Sequence, residues 1–269
     1  MKKFAAVNQK GGVGKTNTNC NFSHCLAEAG NSTLIINGDE QEDTNDMMIE
    51  YELPGIRTHH LFGNLPLNTT APSKMLSLIA SDREALREIE ESTTDDLQLV
   101  INLRARLAEL EPHYQYAVFD TAGANSRIAN AFLIASDFVA VPTKIDEHSI
   151  RESVETIGRI GGVQTHTDPR MRNEKLTFLG ILVNEYDPRQ PFQVKQFGRL
   201  LEEHGDLMVP YAITDRQAYR EAVCARVPVW RLRSDDGNHV KTAARDAGKE
   251  ILTVFAYFKK LMDTNEVLT

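Results

Sequence analysis

The run Lys3-Phe-Ala-Ala-Val-Asn-Gln-Lys-Gly-Gly-Val-Gly-Lys-Thr16 constrains the fold more than any other stretch. The apolar residues Phe4 to Val7 predict a short buried strand. A glycine-rich turn follows, then a helix. Successive backbone N–H groups in such a turn form a concave anion site, and the helix N-terminus adds its partial positive charge. Lys15 is placed to reach β- and γ-phosphates, and the Thr16 hydroxyl to ligate Mg²⁺. The stretch reads as a nucleoside-triphosphate site.

The ordinary phosphate-loop pattern, G-x-x-x-x-G-K-[ST], requires glycine at position 9, where this chain has Gln9. It carries instead a second lysine, Lys10, directly before Gly11 and Gly12. Lys10-Gly-Gly-Val-Gly-Lys15-Thr16 resembles the deviant Walker A loop of the ParA/MinD ATPases, and most of all their short ParA-type partition members. The resemblance implies that Lys10 reaches across a dimer interface to the partner subunit's nucleotide. It also implies that Gly11, Gly12, Val13, Gly14, Lys15, Thr16 and Asn17 hold ATP. Asn17 departs from the family, which usually has a second threonine there.

Strands alternating with helices predict a doubly wound, mostly parallel α/β sheet flanked by helices. Expected helices cover Gly14–Ala29, Ser73–Glu91, Leu103–Leu110, Ile128–Ala135, Ser149–Ile160, Phe192–His204, a stretch from about Arg216, and Ala243–Met262. Expected strands cover Thr33–Ile36, Leu97–Ile101, Tyr116–Asp120, Phe138–Val141, Leu176–Val183 and Leu207–Val209. Residues 42–71 read as irregular, with Pro54, Gly55, Gly63 and Pro66 as breakers. With no repeat, low-complexity tract or long linker, residues 1–269 are expected to form a single domain.

Ligands of such sheets bind beyond the carboxyl ends of the strands. The resemblance therefore assigns roles to particular strand tips. Asp39 falls on the second aspartate of the family pattern D-x-D-P-Q and is expected to orient the attacking water. Asn37 and Glu40 replace the pattern's first aspartate and its proline, leaving Asn37 only an uncharged contact with a metal-bound water. Asp120, after an apolar strand, matches a Walker B aspartate that holds Mg²⁺ through water. Asn184 falls where related ATPases read the adenine edge, and the segment from Pro210 is expected to close over the base.

The chain carries 30 Lys and Arg against 38 Asp and Glu, a net charge of −8. Binding to nucleic acid through total charge is thereby disfavoured, and a local patch is needed. Arg189, Arg216 and Arg220 are its candidates; the bland alternative pairs such arginines with Glu202, Glu203, Asp215 and Glu221. Cys20, Cys25 and Cys224 lack metal-ligand spacing, and an odd count without an export signal suggests a reducing cytosol. His59-His60 has no third ligand near it in sequence. The last helix has a wide apolar stripe, and Lys259 and Lys260 are offset by Asp263 and Glu266. Packing on the sheet is therefore expected rather than a membrane surface.

The resemblance implies a cytoplasmic, nucleoid-associated ParA-like ATPase using ATP and Mg²⁺. It would form an ATP-dependent homodimer, bind DNA non-specifically, and be released when a ParB-like partner stimulates hydrolysis. The chain begins directly at the first strand, as in the short form that lacks an N-terminal helix-turn-helix. The alternative is a MinD-like positioning or scaffold ATPase acting on a protein assembly or membrane. An electron-transfer ATPase of the nitrogenase iron-protein type needs cysteines on both sides of Asp120, and none lies between Cys25 and Cys224. A bacterial tyrosine kinase needs a terminal tyrosine cluster that is not in the sequence.

Overall fold

The computed structural model describes residues 1–67, 71–123, 125–235 and 237–264. Eight parallel strands form one sheet: β1 (Lys2–Ala6), β2 (Thr33–Gly38), β3 (Glu52–Arg57), β4 (Leu76–Ala80), β5 (Tyr116–Thr121), β6 (Phe138–Thr143), β7 (Thr177–Tyr186) and β8 (Met208–Thr214). Their order is β3-β4-β2-β5-β1-β6-β7-β8. The chain winds from β1 to one edge, returns to β5 beside β1, then crosses to β6 and winds to the other edge. The reversal lies at β1, so the crevice beyond its carboxyl end is where this fold takes a ligand.

Both faces of the sheet are covered. Phe4, Ile35 and Val118 point into one apolar cluster, while Ala5, Leu34, Ile36 and Phe119 point into the other. This period-2 division explains why the strands read as unbroken apolar runs. On the first face lie α1 (Lys15–Glu28) and α9 (Thr242–Thr264), where Phe22, Phe255 and Phe258 pack around Phe4. The second face is covered by α4 (Asp96–Leu110) and α5 (Arg127–Ala135). Beyond β6 come α6 (Glu147–Gln164), α7 (Pro191–His204) and α8 (Gln217–Cys224).

Three expectations need correction. The helix over Ser73–Glu91 is two elements, β4 and α3 (Arg83–Ser92). Leu76-Ser-Leu-Ile-Ala80 is buried throughout because it sits between β2 and β3, and Asp82 then caps α3 by accepting from Ala85 N. The strand over Leu97–Ile101 is the first part of α4. Asp95 caps it at Gln98 N, and Leu99, Leu103, Leu107 and Leu110 form its buried face. The irregular stretch 42–71 contains α2 (Asp43–Met47) and the edge strand β3, despite Pro54 and Gly55.

Helix α9 packs as expected, burying Ile251, Val254, Phe255, Phe258, Leu261 and Met262. Asp263 pairs with both Lys2 and Lys259, and Glu266 lies outside the described residues. Among the described residues no helix is long and apolar enough to cross a membrane.

Candidate functional site

The turn between β1 and α1 is built by two glycines and braced from three sides. Gly12 (φ 71°) and Gly14 (φ 90°) are left-handed. A Cβ on Gly14 would lie 2.0 Å from the Asn184 amide nitrogen, which donates to Val13 O at 2.8 Å. Asn8 donates to Pro142 O and Ser153 Oγ and accepts from Lys10 N. No side chain caps α1 at Gly14, so its first backbone N–H groups are left for a ligand. Lys15 is buried, and its Nζ donates to Lys10 O. Burial lowers the Lys15 pKa, against the raising influence of Asp120 and Asp39.

Asp120, the penultimate residue of β5, is 1% exposed. Its carboxylate accepts from Asn19 Nδ2 at 2.7 Å and from Thr44 Oγ1, with a further hydrogen bond from Thr16. Burial nevertheless raises its pKa, and the hydrogen bonds from Thr44, Asn19 and Thr16 oppose that rise. Beside it, β2 sets Asn37 opposite Asp120 in register. Gly38 follows, where a Cβ would press on the Phe132 ring at 2.6 Å. Asp39 then stands half-buried at the tip, accepting from Gln41 N.

Asn37 is held within the fold by its neighbours. It is fully buried, donates to Asn45 Oδ1 and Ser81 Oγ, and accepts from Asp39 N. Its amide shapes the Asp39 turn. The cause is β4, hidden in the sequence, whose end brings Ser81 alongside.

A cavity of about 180 Å³ opens from the loop towards the end of β8. Gly14, Asn17, Asn184, Glu185, Arg216 and Tyr219 are among its walls. Asn184 is thus in the cavity wall, with one amide hydrogen committed to the loop. Pro210 is not: it lies exposed inside β8, which runs on to Thr214, so the strand end facing the cavity is Thr214-Asp215-Arg216. A second cavity, lined by Thr16, Asn17, Asp43, Asp46, Val223 and Arg226, shares Asn17 and Val223 with the first. Among the described residues the non-glycine residues of positive φ are Glu42, Glu185 and Arg226. Glu185 and Arg226 line these cavities, and Glu42 caps α2. Backbone strain therefore gathers around the site.

The rim charges are paired. Lys10 Nζ donates to Asp146 Oδ1 (2.9 Å) and Ser149 Oγ (2.7 Å) at the start of α6. Burial works against the Asp146 charge, but hydrogen bonds from Ser149 and Lys10 prevail and hold its pKa at about 2. Arg189 is 84% exposed and bonds Asp187 through two nitrogens. Arg220 pairs with Asp215, and Arg216 sits before α8 with Nη2 3.4 Å from Glu250 Oε2. Of the bland partners proposed for the arginines, Asp215 takes Arg220 and Glu203 takes Arg199, while Glu221 is taken by Lys241.

Sequence reasoning missed Asn19, Thr44, Asp146 and Ser149. Asn19 alone left a signal, standing one helical turn after Lys15 on the face towards the sheet. His59 and His60 lie away from this centre beside β3, their ring centroids 4.1 Å apart and their planes tilted by 59°.

A family model described as AAA domain (AAA_31) matches residues 1–173. Protein IncC of Escherichia coli is 28% identical over 275 residues, spanning 99% of this chain and 71% of its own. The structure of a Cyanothece McdA variant in complex with ATP superposes with a TM-score of 0.77 at 17% identity, covering 96% of each chain. A plasmid partition protein from Borrelia burgdorferi gives 0.68 at 18% identity, covering 96% of this chain and 98% of its own.

Proposed function

The chain belongs to the AAA_31 AAA-domain family, as a P-loop ATPase of ParA/MinD type, and from that premise we propose that it is a ParA-like partition ATPase. The observation that carries this reading is the left-handed Gly12 and Gly14 turn held against buried Lys15 and Asp120. It offers backbone donors and one desolvated cation to a triphosphate and a hydrogen-bonded carboxylate to a metal ion. The Borrelia relative, named as a plasmid partition protein, supports the partition role.

In this reading ATP lies with its phosphates on Gly11–Thr16. Thr16 and Asp120 would hold Mg²⁺, which would neutralise phosphate charge. Lys15 acts at the β- and γ-phosphates within its own subunit. Lys10 leaves Asp146 and acts on the nucleotide of a second copy, closing an ATP-dependent homodimer. Asp39 orients the attacking water from the edge of the site, where its carboxylate is not buried by the chain. The dimer holds DNA through Arg189, aided at the rim by Arg220 and Arg216, until a ParB-like partner stimulates hydrolysis.

The test is retention on non-specific DNA with and without ATP at two salt concentrations, together with ATP turnover. ATP-dependent, salt-sensitive retention is expected, since phosphate contacts release counterions. No retention at low salt moves the scaffold ATPase ahead, and the local pairing of Arg189 and Arg220 is the observation favouring it. Asp39→Ala should cut turnover at least tenfold and lengthen the life of the ATP-bound dimer, because water positioning acts on the transition state. Unchanged turnover would remove Asp39 from the mechanism.

A further inference from the structure

The segment that carries Asp39 away from β2 is turned back onto the strand tips by α2. Glu42 makes the turn in a left-handed conformation (φ 61°), which a residue with a side chain adopts at a cost. The return places two consecutive side chains on separate anchors. Thr44, 1% exposed, donates its hydroxyl to Asp120 Oδ2. Asn45 accepts at Oδ1 from Asn37 Nδ2 (2.9 Å) and Ser81 N (3.0 Å), and its Nδ2 donates to Ser81 O and Ser81 Oγ at 3.1 Å each. Asn37 in turn accepts from Asp39 N at 2.9 Å. One residue of α2 thus holds Asp120 directly, and the next holds the Asp39 turn through Asn37.

Asp39 and Asp120 both raise the pKa of Lys15, so both stand in the field of the same cation. Two carboxylates so placed repel each other. A fastening of hydroxyl and amide groups fixes their separation without adding charge to the site. We propose that α2 is the positioning element for these two carboxylates: Thr44 sets Asp120 for the metal ion, and Asn45, through Asn37, sets Asp39 for the attacking water. Thr44 and Asn45 act through the carboxylates and not on the nucleotide, and the assignment rests on the ATPase reading above.

Thr44→Val keeps the shape of the side chain and removes the donor; Thr44→Ser keeps the hydroxyl. Affinity for ATP is measured by calorimetry over a series of Mg²⁺ concentrations, with turnover and melting temperature alongside. Thr44→Val should raise the Mg²⁺ concentration for half-maximal ATP binding roughly tenfold, the scale of losing a partner of a metal-holding group. Thr44→Ser should restore it. Asn45→Ala should keep the wild-type Mg²⁺ dependence and lose roughly tenfold in turnover. Added to Asp39→Ala it should cost nothing further, because it acts through that residue. If Asn45→Ala does not fold, Ser81→Ala, which withdraws the hydroxyl that accepts from both Asn37 and Asn45, carries that arm. Wild-type Mg²⁺ dependence in Thr44→Val overturns the inference and leaves the ATPase standing, as do losses in Asn45→Ala and Asp39→Ala that add. Unchanged turnover in Asp39→Ala removes the Asn45 half together with the role of Asp39. Failure of wild-type protein to bind ATP at all removes both the inference and the reading beneath it.

Discussion

The floor of the site and its rim treat polar groups in opposite ways. On the floor, Asp120 is almost fully buried and fastened by Asn19 and Thr16 of α1 and by Thr44 of α2. At the rim, Lys10, Arg189 and Arg220 are paired with acidic residues in partial or full contact with water. A buried network is costly to disturb, because each lost partner strands a desolvated group. An exposed pair is worth about 0–1 kcal/mol and is readily exchanged. The floor is built to stay as it is, whereas the rim pairs can trade partners.

The largest expected effect comes from breaking the floor. Gly14→Ala puts a Cβ 2.0 Å from the Asn184 amide in a left-handed conformation, and Lys15→Ala removes the buried cation. Both should abolish ATP binding in calorimetry. Gly14→Ala should also cost more than about 2 kcal/mol in urea unfolding, as strain and overpacking add. Normal ATP affinity in either variant would mean that the turn is not the phosphate site.

Lys10→Ala asks whether the rim is as exchangeable as its exposure suggests. ATP binding should survive at least in part, ATP-dependent dimers should vanish in sedimentation, and unfolding stability should change by less than about 1 kcal/mol. Asp146 should not titrate near neutrality. Asp146 has a folded pKa of about 2, below its ordinary 3.8. The stability it contributes is present above 3.8 and is lost as pH falls through about 2. A dimerisation midpoint between pH 5 and 8 that disappears in Asp146→Asn would contradict this.

His24 gives the buried counterpart, on the helix that begins at the loop. Burial, then Arg231, lowers its pKa from 6.5 to about 4. It is neutral in both states above pH 6.5. Below that the unfolded chain binds a proton first, so stability falls between pH 6.5 and about 4, by up to roughly 3 kcal/mol. His24→Gln should flatten that part of the stability–pH curve; an unchanged slope would assign the loss to other groups. The smallest effect is that of Arg189→Ala. It should leave the dimer intact and lower the salt slope of DNA retention by roughly one. An unaltered slope would leave Arg189 with Asp187 alone.

Legibility in the sequence divides along the same line. The loop was readable because its strand, glycines, lysine and helix are consecutive. Asp39 and Asp120 were readable because parallel strands bring their tips to one edge. Strand β4 was not, because Leu76-Ser-Leu-Ile-Ala80 runs through Ser81 and Asp82 into a helical charge pattern, and so short an apolar run has no distinctive period. Losing β4 also lost the meaning of Asn37, whose partners Asn45 and Ser81 depend on it. Helix α4 was cut in two because Leu97 to Ile101 alone satisfies a strand pattern, and only the Asp95 cap joins it to residues 102–110. Thr44 and Glu250 left no local trace, since their partners lie 76 and 31–36 residues away.

The two outer strands set a limit on assembly. Pro54 stands exposed in β3 and Pro210 exposed in β8, and each removes one N–H from a sheet border. Another chain adding itself strand to strand would meet an interrupted row of donors at either border. Growth by extension of the sheet is thereby discouraged. Assembly of the folded chain is therefore expected through its helical faces rather than by a sheet that runs on from one molecule to the next.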